Sequence, residues 1–203
     1  MTTVRTFIAI ELSTEVRAAL ADLQSKLKAV VPPNTVRWTA PQNIHLTLHF
    51  LGDVDRADID TISTALAATT SGHQPFSLAI GRLGCFPNTR RPRILWVGIL
   101  GNSVALSDLQ HHMGEALQVA VDFSPERRPY APHLTIGRVK GGLPSRHLKQ
   151  LSQVIQEAQA GVSRLAVLEV AEVSLVRSEL KPTGAVYTQL ARGELNQTVS
   201  SGC

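Results

Sequence analysis

Two short segments of this chain carry the same chemistry. His45-Leu46-Thr47-Leu48 and His133-Leu134-Thr135-Ile136 each alternate a polar with an apolar residue. Successive side chains of an extended strand point to opposite faces, so each segment presents one imidazole and one hydroxyl together, with two aliphatics behind them. Two histidines titrating near neutrality suit a reaction in which one group takes a proton from a nucleophile and the other protonates a departing oxygen. Hydroxyls beside them can hydrogen-bond the nonbridging oxygens of a phosphoryl group as charge builds there. A phosphodiester is the natural substrate of such a set.

A single His-x-Thr is more simply a half-buried strand residue bonded to its neighbours, but the pair reverses that weighting. Metal binding is the next competitor. His45 and His49 are four residues apart, which on a strand is about 13 Å, too far to share a zinc ion. His111 and His112 point about 100° apart on a helix and are expected to face solvent. His73 and His147 have no evident partner. Asp53, Asp55 and Asp58 suit the positive end of a helix and lack the glycine and terminal glutamate of a calcium loop. Neither a metal nor a cofactor is expected.

The elements that must hold the two segments follow from periodicity. Val4–Leu12 reads as a strand, and from Ser13 the residues Val16, Leu20, Leu23 and Leu27 recur at helical spacing. Pro32-Pro33-Asn34 breaks the chain before a short extended piece over Val36–Thr39. The spacing then predicts a strand over Ile44–Leu51 ending at Gly52, a helix over Asp55–Thr70 and a strand over Phe76–Leu83. Gly84 to Pro92 is too rich in turn formers to be regular. A strand over Ile94–Leu100, a helix over Ser103–Val119, a break over Pro125–Pro132, a strand over His133–Val139 and a helix over Pro144–Ala160 come next. Leu165–Val176 and Ala185–Ala191 read as two closing strands.

The order strand–helix–strand therefore occurs twice, and the repeat has a measurable offset. His-Leu-Thr recurs after 88 residues (45 to 133) and Asp-Leu-Gln after 86 (22 to 108). Two shared tripeptides at nearly one offset point to two related halves, packed as lobes with a cleft between them. The expected domain is residues 1–193, with a polar, frayed tail over 194–203.

Composition fits this plan. With 203 residues, 43% hydrophobic and 18% charged, the chain can bury one substantial core. No apolar run reaches the ~18 residues of a membrane span, and the start lacks a signal-like core. Cys85 and Cys203 are too few for a disulfide framework. A soluble, cytoplasmic and monomeric protein is expected. The formal net charge is +4. Fifteen of the 20 basic residues are arginine, the residue that grips phosphate at two points, although a charge of this size alone is ordinary.

The stretch from Arg37-Trp38-Thr39 through Pro41-Gln42-Asn43-Ile44-His45-Leu46-Thr47-Leu48 to Phe50-Leu51-Gly52, with Pro132-His133-Leu134-Thr135-Ile136-Gly137-Arg138, resembles the two-histidine phosphoesterases, specifically the RNA 2′,3′-cyclic phosphodiesterase family, also called 2′-5′ RNA ligases. Arg5 to Ile10, Phe86-Pro87 to Trp96, and Ser178 to Tyr187 extend the resemblance over roughly residues 4–191. It implies a bilobed α+β fold, a pseudo-two-fold repeat of antiparallel sheets flanked by helices. It also implies metal-independent opening of cyclic phosphate ends of RNA to 2′-phosphomonoesters, with reversible 2′-5′ joining in some members. By motif, His45 would donate the proton to the departing 3′ oxygen, His133 would accept one from water, and Thr47 and Thr135 would hold phosphoryl oxygens. Arg138 could contact phosphate, but strict alternation turns it away from His133.

Phe7, Phe50 and Tyr130 lie in or beside the motif strands and could stack on a terminal base, with core packing the weightier reading for each. Trp38 and Trp96 read as packing residues. Two other functions compete: a noncatalytic module that grips RNA ends, and the same chemistry on small cyclic nucleotides or 2′-5′ linked oligonucleotides.

Overall fold

The computed structural model describes residues 2–101, 103–126, 128–182 and 184–196. The strands are β1 (Thr3–Glu11), β2 (Val36–Trp38), β3 (His45–Asp55), β4 (Phe76–Phe86), β5 (Ile94–Leu100), β6 (His133–Val139), β7 (Arg164–Val170), β8 (Glu172–Lys181) and β9 (Gly184–Glu194). The helices are α1 (Thr14–Val30), α2 (Ile59–Ser71), α3 (Val104–Ala120) and α4 (Ser145–Gly161). The fold is α+β. None of these helices is long and apolar enough to cross a membrane.

All nine strands belong to one antiparallel sheet, ordered β7-β4-β5-β6-β3-β1-β8-β9, with β2 paired to β6. The motif strands β3 and β6 are neighbours at its centre, and the single bridge Leu46↔Leu134 joins a half of five strands, β7, β4, β5, β6 and β2, to a half of four, β3, β1, β8 and β9. The first helix of each half crosses the seam: α1 packs on β7, in the half that contains β6, whereas α3 packs on α2 and reaches β3. The repeated tripeptide marks this exchange. Gln24 of α1 sends its side-chain amide to the carbonyls of Thr39 and Ile136, both at 2.8 Å. Gln110 of α3 offers its main-chain carbonyl to His49 Nε2 at 2.7 Å.

One apolar core lies between the helices and one face of the sheet, where Leu46, Leu48, Leu134 and Ile136 are buried with Leu20, Leu23, Leu109 and Met113. On the opposite face, the described residues form a small cluster of Phe7, Ala9 and Val176, with Tyr187 packed against it. Alternation along the two motifs thus does what the sequence requires: the aliphatics meet the helices, and the imidazoles and hydroxyls look the other way.

Several boundaries differ from expectation. β3 runs past Gly52 to Asp55: Leu51 is skipped in the ladder with β1, which resumes at Gly52 opposite Thr6, where φ 73° is a conformation glycine adopts without strain. β4 continues through Gly84 and Cys85 to Phe86, paired with β5 throughout, so turn-forming composition was overridden by sheet partners. The segment read as one strand over Leu165–Val176 is two, interrupted at Ala171: β7 pairs with β4 at one end of the sheet and β8 with β1 near the other. The expected tail is anchored at its start, since Glu194 closes β9, Leu195 is buried with its N–H on the Ala171 carbonyl, and the Asn196 N–H reaches the His73 carbonyl. The remainder of that tail, 197–203, lies outside the described residues.

Candidate active site

Extending the Leu46↔Leu134 register by one residue each way sets His45 across from Thr135 and Thr47 across from His133. Directly opposed side chains start roughly 5 Å apart and diagonal ones roughly 7–8 Å. The histidines occupy one diagonal of this square and the threonines the other. All four are half-buried on the face free of helices.

Both rings are held in the same way. His45 Nδ1 lies 3.0 Å from the Asn43 carbonyl, and His133 Nδ1 lies 2.8 Å from the Ala131 carbonyl, in each case two residues back along the chain. A carbonyl only accepts, so each Nδ1 carries the proton, and among the described residues neither Nε2 has a hydrogen-bond partner, which leaves it open for chemistry. Asn43 is fixed in turn by its amide donating to the Ala185 carbonyl at the start of β9. His45 is also sandwiched, stacked on Phe7 at 4.6 Å with the edge of Tyr187 at 5.2 Å, while His133 meets Phe86 edge-on at 5.0 Å.

Electrostatically the two imidazoles differ. Burial among these rings pushes His45 down to about 4, the hydrogen bond to Asn43 opposes the shift, and the nearby charge of His133 adds to it. The effect of His133 on His45 accords with their diagonal placement across the bridge. Without a ligand, His45 is therefore neutral at pH 7.

A one-residue bulge follows each motif. Ala9 faces Thr47 and Ile8 faces His49, leaving Leu48 unpaired; Trp96 faces Thr135 and Leu95 faces Gly137, leaving Ile136 unpaired. A bulge shifts the alternation by one. His49 consequently turns into the core against Gln110 and Phe123, facing away from His45, which removes the pair as a metal site on orientation as well as distance. Phe50 and Arg138 turn onto the face of the motif histidines. The expectation that alternation points Arg138 away is thus corrected, and its charge acts on the Tyr187 hydroxyl, opposing the upward push of burial.

Of the three aromatics considered for base stacking, Phe50 is 59% exposed and stands on the site face. Phe7 is 3% exposed, too little to receive a base, and serves as the floor under His45. Tyr130 is half-buried, and its hydroxyl donates to the Thr47 carbonyl at 3.0 Å, pinning the loop before β6 to β3. Burial holds that hydroxyl in its protonated form.

A family model described as LigT-like phosphoesterase matches residues 10–96 and 104–187, spanning both motifs and most of the sheet. The chain belongs to the LigT-like phosphoesterase family. Within and around this family, it is 38% identical over 187 residues to a Methanothermobacter thermautotrophicus protein named RNA 2′,3′-cyclic phosphodiesterase, covering 92% of this chain and 96% of that one. A Thermotoga maritima protein of the same name is 32% identical, with 92% of each chain covered. The crystal structure of TT0787 of Thermus thermophilus superposes with a TM-score of 0.76 at 28% identity, over 96% of this chain and 99% of that one.

This LigT-like site also contains residues to which sequence reasoning gave no role. Tyr187 on β9 and Phe86 at the end of β4 each flank a motif histidine, and Arg37 on β2 is the cross-strand partner of Arg138. Only the sheet order brings them there, since Tyr187 is 142 residues from His45 in the chain. Trp96, expected to pack, does so: its ring occupies the space where a Cβ on Gly84 would sit.

Proposed function

We propose that this protein hydrolyses RNA 2′,3′-cyclic phosphate ends to 2′-phosphomonoesters. The observation that carries the reading is the square of His45, Thr135, His133 and Thr47, with both Nδ1 atoms tied to carbonyls and both Nε2 atoms free. Relatives named for this activity match across nearly the whole chain, which favours a catalyst over an RNA-end-binding module.

In this mechanism the cyclic phosphate lies over the square, with the Thr47 and Thr135 hydroxyls on its nonbridging oxygens. His133 Nε2 takes a proton from water as the water oxygen bonds to phosphorus. The bond from phosphorus to the 3′ oxygen breaks, and that oxygen receives the proton of His45 Nε2, leaving phosphate on the 2′ oxygen. The donor must therefore be an imidazolium, whereas burial keeps His45 neutral in the free protein. The substrate anion reverses this balance, because a negative charge beside the ring favours its protonated form. Phe50 supplies an exposed ring for the terminal base, and the metal-independent route needs only side chains already in place.

The test is a defined oligonucleotide with a 2′,3′-cyclic end, incubated with chelator and analysed for the position of the product phosphate. A 2′-phosphate is expected. A 3′-phosphate, or no turnover, rules the reading out.

A further inference from the structure

Arg37 and Arg138 are paired across β2 and β6, and both side chains are exposed. Their face is fixed independently at two points. Trp38, the residue after Arg37, contacts the space beside Gly137 and packs into the main core under Lys28 of α1, so Arg37 projects to the opposite face. Arg138 projects there because of the bulge at Ile136, and its charge is felt at Tyr187. Like charges directly opposed in a sheet repel. Among the described residues, neither arginine has an ion-pair partner; the carboxylates that do pair with arginine, Glu11, Glu172, Glu179 and Glu194, serve Arg17, Arg192 and Arg177. An opposed, unneutralised guanidinium pair is a reason for an anion to sit between them, where two planar forks can each donate twice to phosphate.

We infer that Arg37 and Arg138 form a second phosphate site, which holds the phosphate on the 5′ oxygen of the terminal nucleotide while the cyclic phosphate occupies the histidine square. The spacing suits this. Arg138 is three residues beyond Thr135, and with one residue taken up by the bulge this is two strand steps, roughly 7 Å, comparable to one nucleotide of an extended strand. The inference rests on the cyclic phosphodiesterase reading and deepens it: the preferred substrate is an end that continues into an RNA chain, or at least bears a 5′-phosphate, over a bare cyclic nucleoside phosphate.

The experiment compares dissociation constants of adenosine 2′-phosphate and adenosine 2′,5′-bisphosphate, with the dinucleotide ApA 2′-phosphate as a diester arm, in parallel with turnover of the matching cyclic compounds. A second phosphate should tighten binding about tenfold, with a steeper salt dependence. Arg37→Gln should bring the ratio to about one and flatten the extra salt dependence, Arg37→Lys should keep part of it, and Arg146→Gln on α4 should leave it intact. Equal affinity of the three ligands for the unaltered protein, or a ratio that survives Arg37→Gln, overturns the inference. So does an equal loss in Arg146→Gln, which would mean a response to net charge alone. Absence of turnover with the binding ratio preserved would instead count against the proposed reaction and leave the second site standing.

Discussion

Leu48 and Ile136 are equivalent residues: each is the unpaired member of a bulge three positions beyond its motif histidine, and each sends the residue two further on, Phe50 or Arg138, to the face where chemistry is proposed. The two halves have thus kept one backbone device while placing different side chains on it, an aromatic ring on one side and a guanidinium on the other. The bulges are braced from across the seam, by Gln24 of α1 at Ile136 and by Gln110 of α3 at His49.

Gln24 is buried, and its amide satisfies two carbonyls. Gln24→Leu removes both bonds and leaves the Thr39 carbonyl without its side-chain donor. A loss of about 1–3 kcal/mol in urea unfolding is expected. Because Ile136 sets the direction of Arg138, the variant should also weaken binding of nucleotides that engage that residue, measured by calorimetry under conditions where the variant is still folded.

His45→Ala and His133→Ala should each lower turnover of a cyclic-ended oligonucleotide by about 10²–10⁴-fold. Circular dichroism should show both variants folded, since the Leu46↔Leu134 bridge and the core face of each strand are untouched. Full activity in both would remove the histidines from the reaction.

Gly114 shows how closely α3 must approach β3. A Cβ at this position would stand 3.0 Å from His49 Cε1, a ring held by the Gln110 carbonyl and unable to withdraw freely. Gly114→Ala should therefore cost about 1–3 kcal/mol despite its better helix propensity. Gly161→Ala at the end of α4 meets no atom within 4 Å and should be neutral or slightly stabilising. Parallel thermal melts make the comparison.

Much of this arrangement was legible in the residues themselves. Polar–apolar alternation over His45–Leu48 and His133–Ile136 gave the face of each motif correctly, and the Asp-Leu-Gln offset pointed to the twofold plan. What alternation could not reveal is where it stops. The bulges at Leu48 and Ile136 have no compositional mark, so the direction of Arg138 was misread and the outward turn of Phe50 had no basis in spacing. Phe7 could be weighed between stacking on a base and core packing, with packing favoured; its burial between β3 and β8 is decided by sheet order, which one sequence does not display. Tyr187 and Arg37 reach the site by the same nonlocal pairings. The break at Ala171 was hidden because β7 and β8 are both rich in β-formers and abut without a turn signal.

Stability should fall on mild acidification. His45 is held at about 4 in the folded protein against an ordinary 6.5, so between these values the unfolded chain binds the extra proton. This contribution to stability is complete above about pH 6.5 and is lost as pH falls toward 4, amounting to at most about 3 kcal/mol. Buried His49 is shifted in the same direction and adds to the trend. Urea midpoints from pH 7.5 to 4.5 should decline less steeply in His45→Asn than in the unaltered protein. Parallel slopes would mean that His45 is more solvated than its packing on Phe7 and Tyr187 implies.

The central claim is that His45 and His133 flank one phosphorus atom, and nitrogen-detected NMR of the two imidazoles during titration with adenosine 2′-phosphate tests it most directly. Both Nε2 signals should respond at the same ligand concentration, with His45 passing from neutral at pH 6 in the free protein to protonated in the complex. If only one ring responds, or if His45 remains neutral when the nucleotide is bound, the shared site or the donor role assigned to His45 is contradicted.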